Sequence, residues 1–169
     1  MVTLNRESIV RIITSPDKKY QQITVKEALK LGATLHNILW ELDDMVDNDV
    51  KRRRQMFAAD CAAHVIHKVD HITKAPRRAI AAARVVPAST AAKAAAIAAV
   101  DSVDAKSVLN PDAAMYAGRA AAYAAVGSAL SASVTANLAA ERVLYDEYNW
   151  QEKRLVLWMS DDEPEPYAI

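Results

Sequence analysis

The chain has 169 residues, which suffices for one domain with a proper hydrophobic core and is too few for two ordinary domains. Alanine dominates the apolar residues and glycine is scarce, a composition that favours helices over sheets. The 21 basic and 21 acidic side chains balance, which argues against nucleic acid as the partner. We predict an all-α fold, a single-domain multi-helix bundle with closely packed, alanine-rich helices.

The N-terminal segments carry helix signals. TLNRESIVRIITS has a short apolar face of isoleucines, and SPDKKYQQ is typical of a loop. Thr24 and Glu27 have the spacing of a capping box, and the leucines that follow at helical period predict one helix from Thr24 to about residue 47. We predict that residues 1–50 form an N-terminal helical extension packed on the bundle.

The middle of the chain predicts three further helices. The first runs from about Arg52 to His71, and the second, PRRAIAAARVV, has Pro76 in its first turn. Ser89 or Thr90 can cap the third, TAAKAAAIAAVDSVDAKSVL.

The last third of the chain begins with Pro111 in a first helical position, and no proline follows until after Trp150. A straight helix of that length would extend about 60 Å, too long for a domain of this size, so we predict a break between Gly127 and Ser133. QEKRLVLWM predicts a final helical segment. We expect residues 51–159 to form the alanine-rich bundle and residues 160–169 to be an acidic, disordered tail.

Two further observations predict where in the cell the protein is found. The single cysteine, Cys61, cannot form an intramolecular disulfide, and the first residues lack the basic segment and apolar run of a secretory signal. The stretch most like a membrane span surrounds Arg119 and consists largely of small residues that do not offset this charge. We expect a cytoplasmic protein that does not span a membrane.

One cysteine and three histidines lie close together in AADCAAHVIHKVDH, residues 58–71. On a helix, one side carries Asp60, Cys61, His64, His67 and His71. Thiolate and imidazole are zinc ligands, but one straight helix supplies too few of them for a closed tetrahedral site. We therefore predict no metal and no cofactor. A nucleophilic Cys61 with His64 as its base remains the enzymatic alternative.

The basic residues follow an acidic run that extends from Glu41 to Asp49. We expect Arg52, Arg53 and Arg54 to pair with this run, and the charged surface around it to steer association with a partner. A carboxylate between two small core residues needs a partner, so we predict that Asp60 is at least half buried and paired with an arginine of PRRAIAAAR. The candidate binding residues are Arg52, Arg53, Arg54, Asp60, Cys61, His64, His67, His71, Arg77, Arg78 and Arg84.

Three separated motifs carry a family resemblance: FAADCAAHV at 57–65, PRRAIAAAR at 76–84, and WQ followed by RL at 150–155. In this order they resemble a family of small, alanine-rich helical immunity proteins, in which AADCAERVL precedes a PR-AIEAAR helix and an ending like WQ--RL. Histidines stand at 64 and 67, where that family has arginine and proline, and residues 1–50 are an addition to its pattern.

The resemblance implies a non-enzymatic protein that neutralises an antagonist protein, such as the toxin of a competing bacterium, by stoichiometric binding. One alternative is a phage- or mobile-element-encoded inhibitor of a host defence system. Another is a small-ligand-binding protein or enzyme that uses the face formed by Asp60, Cys61 and His64. The expected partner is a protein, whether toxin or defence effector.

Overall fold

The structure, a computed structural model, describes residues 1–5, 22–68, 74–85, 111–140 and 144–169. Within these ranges the chain forms a two-stranded sheet and seven α-helices, which confirms the predicted all-α, multi-helix fold. The strands are β1 (Thr3–Asn5) and β2 (Gln22–Thr24). The helices are α1 (Val25–Lys30), α2 (Leu35–Asp43), α3 (Asn48–His64), α4 (Ala75–Ala83), α5 (Pro111–Ala125), α6 (Ala129–Ala140) and α7 (Leu144–Trp158).

The described N-terminal residues form a strand where the sequence predicts a helix. β1 pairs with β2 in antiparallel register, which places Leu4 opposite Ile23, and both side chains are buried. The Val2 N–H donates to the Met159 carbonyl at 2.9 Å, so the residue before β1 is joined to the residue that follows α7. The helix prediction is wrong at Thr3–Asn5 because this pairing overrides local propensity. The isoleucines at positions 9, 12 and 13 lie outside the described residues.

The helix predicted from Thr24 to about residue 47 is divided into α1 and α2. The capping box is confirmed, because the Thr24 hydroxyl accepts from the Glu27 N–H while the Glu27 carboxylate accepts from the Thr24 N–H. After α1, Gly32 has a φ of 91°, a left-handed conformation that ends the helix. Thr34 then caps α2. The prediction of a single continuous helix is therefore wrong.

Helix α3 is central to the bundle and packs against α4, α5, α6 and α7. Helices α5 and α6 pack against each other after a turn at Gly127, whose φ is 81°, so the predicted break is confirmed. Small side chains let helix axes approach closely. The buried alanines of this pair include Ala117, Ala120, Ala121, Ala124, Ala125, Ala129, Ala132, Ala136 and Ala139.

Two prolines take the positions expected of them. Pro76 lies in the first turn of α4, and Pro111 is the first residue of α5. The helix predicted at residues 90–109 lies outside the described residues. One buried core joins residues of β1, β2 and the helices on both sides of residue 50, which itself falls within α3. No helix in the described ranges has the length and apolar character needed to cross a membrane.

Candidate functional site

Asp60, in the middle of α3, is the most heavily hydrogen-bonded side chain of the candidate site. Its carboxylate has no solvent exposure. Oδ2 accepts from Arg154 Nε at 2.7 Å and Nη2 at 2.6 Å, and from Trp158 Nε1 at 2.8 Å. Oδ1 accepts from Arg84 Nη2 at 3.3 Å and from the Tyr167 backbone N–H at 2.8 Å. The predicted burial and the pairing with an arginine of PRRAIAAAR are confirmed.

The C-terminal segment of residues 160–169, called the tail below, lies on this cluster. Arg84 Nη2 donates to the Tyr167 carbonyl, and Arg154 Nη2 donates to the Glu165 carbonyl. Glu163 accepts from Arg52 and, at 3.0 Å, from Arg53. These contacts correct the expectation of a disordered tail: its acidic, proline-bearing sequence has few apolar groups, but side chains of α3, α4 and α7 bind its backbone and a carboxylate.

His64 lies one turn beyond Asp60 and is partly buried against two aromatic rings. Its ring stacks on Trp150 with centroids 3.9 Å apart and an interplanar angle of 3°, and the Tyr167 ring meets both edge to face. Nδ1 lies 2.6 Å from Oε2 of Glu147, a buried residue of α7. The stacking of one ring face, the edge contact with Tyr167 and the contact of Nδ1 with Glu147 together hold the imidazole in a fixed orientation.

Behind Glu147, a buried polar network joins α7 to α6. Gln151 has no solvent exposure, and its Nε2 donates to Glu147 Oε1 at 2.8 Å. Gln151 Oε1 accepts from the Ser133 hydroxyl at 2.6 Å and from Asn137 Nδ2 at 3.2 Å. Both polar atoms of the Gln151 amide have partners, which makes its burial favourable, whereas Asn137 Oδ1 is buried without a donor.

Cys61 is fully buried next to this network. Burial raises the pKa of the Cys61 thiol well above its usual value, and the neighbouring carboxylates of Glu147 and Asp60 raise it further. Thiolate nucleophiles are activated by the opposite shift. The side chain therefore has the environment of an inert core cysteine.

The arginines that follow the acidic run pair with it, as predicted. Arg52 donates to Asp49 at 2.8 Å, and Arg54 donates to Asp43 at the same distance. Arg53 and Arg54 are nonetheless buried, which corrects the expectation that they belong to the charged surface that steers association. Arg53 donates to the Trp158 carbonyl at 3.0 Å, so its guanidinium serves as a cap for the end of α7.

The structure brings together five of the predicted binding residues and separates others. Beneath the tail lie Arg52, Arg53, Asp60, His64 and Arg84. His67 and Arg78 are exposed and lie away from these contacts, and Arg77 is half-buried on α4. His71 lies outside the described residues.

Sequence reasoning missed the partners that α7 contributes. Arg154 and Trp158 lie 94 and 98 positions beyond Asp60, and no local pattern links residues so far apart. One signal was available for Glu147: it precedes Gln151 by one helical turn, and both precede the final apolar residues.

The predicted absence of a metal can be tested on the purified protein. Among the described residues, no three His, Cys, Asp or Glu side chains are grouped so that they could hold a metal ion. We expect the purified protein to contain no stoichiometric zinc by elemental analysis, and chelator to leave its melting temperature unchanged, because Asp60 and His64 are already engaged. One equivalent of zinc would contradict this prediction.

Comparisons of the chain with protein-family models, with curated proteins and with solved structures give no match.

Proposed function

We propose that this chain is a non-enzymatic binding protein that neutralises an antagonist protein by stoichiometric binding. The observation that carries the proposal is an exposed aromatic and acidic surface on α2 and the turn that follows it. Trp40 is 59% exposed and Val46 is 85% exposed, although both are large apolar residues. We call this the Trp40 surface, and its members are His36, Trp40, Asp43, Asp44, Val46 and Asp47.

The composition of the Trp40 surface is that of a protein-binding site with a basic partner. The ring of Trp40 lies 6.4 Å from that of His36 in a stacked arrangement, which gives one broad, exposed face. Tryptophan is among the residues that most often dominate binding energy at interfaces. The surrounding carboxylates favour a positively charged partner surface and steer its approach.

The residues that offered catalytic chemistry support the same proposal by their environments. Asp60 is saturated with donors, and the Cys61 thiol is buried with a raised pKa. Groups in such positions stabilise the fold and have no room for a substrate.

The proposed antagonist is either a toxin or a host defence effector. The resemblance to immunity proteins favours the toxin of a competing bacterium. A host defence effector inhibited by a phage or mobile element requires the same stoichiometric binding. The identity of the protein captured by the Trp40 surface distinguishes the two.

The test first captures a binding protein from a lysate and then titrates the activity of that protein with the inhibitor. Tagged wild-type protein and the variant Trp40→Ala are used in parallel on lysates from the native cell, and a protein retained only by the wild type is purified. We expect its activity to fall linearly and to reach its minimum near one equivalent of inhibitor. The association rate should fall as salt is added, because exposed charges are screened.

Variants test whether the Trp40 surface carries the affinity. Trp40→Ala should weaken binding by about 30-fold or more, which corresponds to about 2 kcal/mol at an interfacial hot spot. Leu138→Ala, at a residue of α6 that is 44% exposed, is the matched control and should bind as the wild type does. Full effect at a small fraction of an equivalent, with a modified target as product, would place the protein among enzymes instead.

A further inference from the structure

The tail follows a line of charged and aromatic side chains. We call this line the tail groove, and it consists of Arg52, Arg53, Asp60, His64, Arg84 and Arg154. Glu163 lies at the end of the groove near the start of α3, and Tyr167 lies near the end of that helix. The groove therefore accommodates an extended segment that runs in the same direction as α3.

Within the groove, side chains bind the main chain of the tail as a neighbouring strand would. The N–H of Tyr167 donates to Asp60, and the carbonyl of the same residue accepts from Arg84. The Glu165 carbonyl accepts from Arg154. Contacts to both polar groups of one residue recognise an extended backbone whatever its sequence.

Two side chains of the tail supply selectivity. The Tyr167 ring meets His64 at 5.2 Å and Trp150 at 5.5 Å, both edge to face, on a platform formed by the two stacked rings. Glu163 pairs with Arg52 and Arg53 at the other end. The groove thus selects an aromatic residue and, four positions before it, a carboxylate.

The tail is also suited to lie extended before it makes any contact. Pro164 and Pro166 fix their own φ angles, and each restricts the residue before it to extended conformations. Less conformational entropy is lost when such a segment is bound.

We propose that the tail groove is a peptide-binding site that accepts an acidic, extended segment of another protein with an aromatic residue directly after a proline, and that the tail occupies this site in its absence. The Arg84 Nε–H is buried without a hydrogen-bond acceptor, so the tail leaves one donor of the groove unused. This inference goes beyond the proposed neutralising function, because it concerns a different surface from the Trp40 surface.

Competition with the tail determines the design of the test. A tethered segment acts at an effective concentration on the order of millimolar, so an external segment binds weakly until the tail is weakened. The full-length variant Tyr167→Ala removes the aromatic contact. Glu163→Gln is a second variant, which removes the carboxylate at the other end of the groove and leaves the cluster around Asp60 in place.

The probe is a fluorescent peptide with the sequence of residues 160–169, and binding is measured by anisotropy with each full-length protein. We expect Tyr167→Ala to bind it at least about tenfold more tightly than the wild type, and Glu163→Gln to lie between the two. A peptide with alanine in place of its tyrosine should lose this binding. The matched control is Tyr123→Ala, which removes a tyrosine of α5 that is 39% exposed and should leave binding at the wild-type level.

Equal binding by all four proteins, or binding that ignores the tyrosine of the peptide, would overturn the proposal. Either result would make the tail a fixed structural element. Neither depends on the antagonist or on the Trp40 surface, so failure here leaves the proposed function intact.

Discussion

Asp60→Ala is expected to lower the free energy of unfolding by about 3–5 kcal/mol, as removal of one partner of a buried ion pair does. The substitution leaves two guanidinium groups and the Trp158 indole N–H without their common acceptor. It also releases the Tyr167 N–H. Since natural domains are stable by only about 5–15 kcal/mol, the loss should be plain in a melting curve.

Thermal and urea unfolding of the purified variant measure this loss. Asp44→Ala, which removes an exposed carboxylate, is the control and should change stability by less than about 0.5 kcal/mol. If Asp60→Ala unfolds at the same urea concentration as the wild type, the five contacts do not stabilise the fold.

Arg54→Glu is expected to have a comparable effect, about 3–5 kcal/mol or more, because it leaves a buried charge without its partners. Arg54 is 7% exposed, and its Nη1 donates to the Leu42 carbonyl. A carboxylate in its place would face that carbonyl and the Asp43 carboxylate. The ion pair with Asp43 contributes little by itself, since Asp43 is largely exposed.

Lys51, one helical turn before Arg54, provides the control for Arg54→Glu. Lys51→Glu introduces the same charge change at an exposed position of the same helix and should leave the urea midpoint nearly unchanged. Circular dichroism before denaturation establishes whether each variant is folded. Equal stability of the two variants would refute the assignment of Arg54 to the core.

Local signals in the sequence predicted local structure well. The hydroxyl and carboxylate of Thr24 and Glu27 satisfy each other's backbone groups within one turn, so their spacing alone identifies the start of α1. The turn at Gly127 was predictable because an unbroken helix would exceed the size of the domain. The strand β1 was not, because it depends on pairing with Gln22–Thr24.

The candidate site was predictable only in part, because most of its contacts also join residues that are distant in the sequence. A carboxylate flanked by Ala59 and Cys61 must find a cation, and Arg84 was close enough in sequence to be inferred. The contact with Tyr167 was hidden by composition: the acidic, proline-bearing tail has few apolar groups, and its order comes from side chains elsewhere. Sequence periodicity carries no information about a hydrogen bond between residues as far apart in the chain as Tyr167 and Asp60.

The alanine packing between α5 and α6 sets unequal limits on how this chain can change over evolution. Ala120, Ala124 and Ala132 have no solvent exposure, so a larger side chain there would overpack the core at a cost of about 1–3 kcal/mol. Exchange for glycine would lower helix propensity by about 1 kcal/mol. Outward positions such as Tyr123 and Val134 have the glycine limit but no limit on size. Sequence divergence in this pair should therefore accumulate on its outer faces, while the inner faces remain limited to small residues.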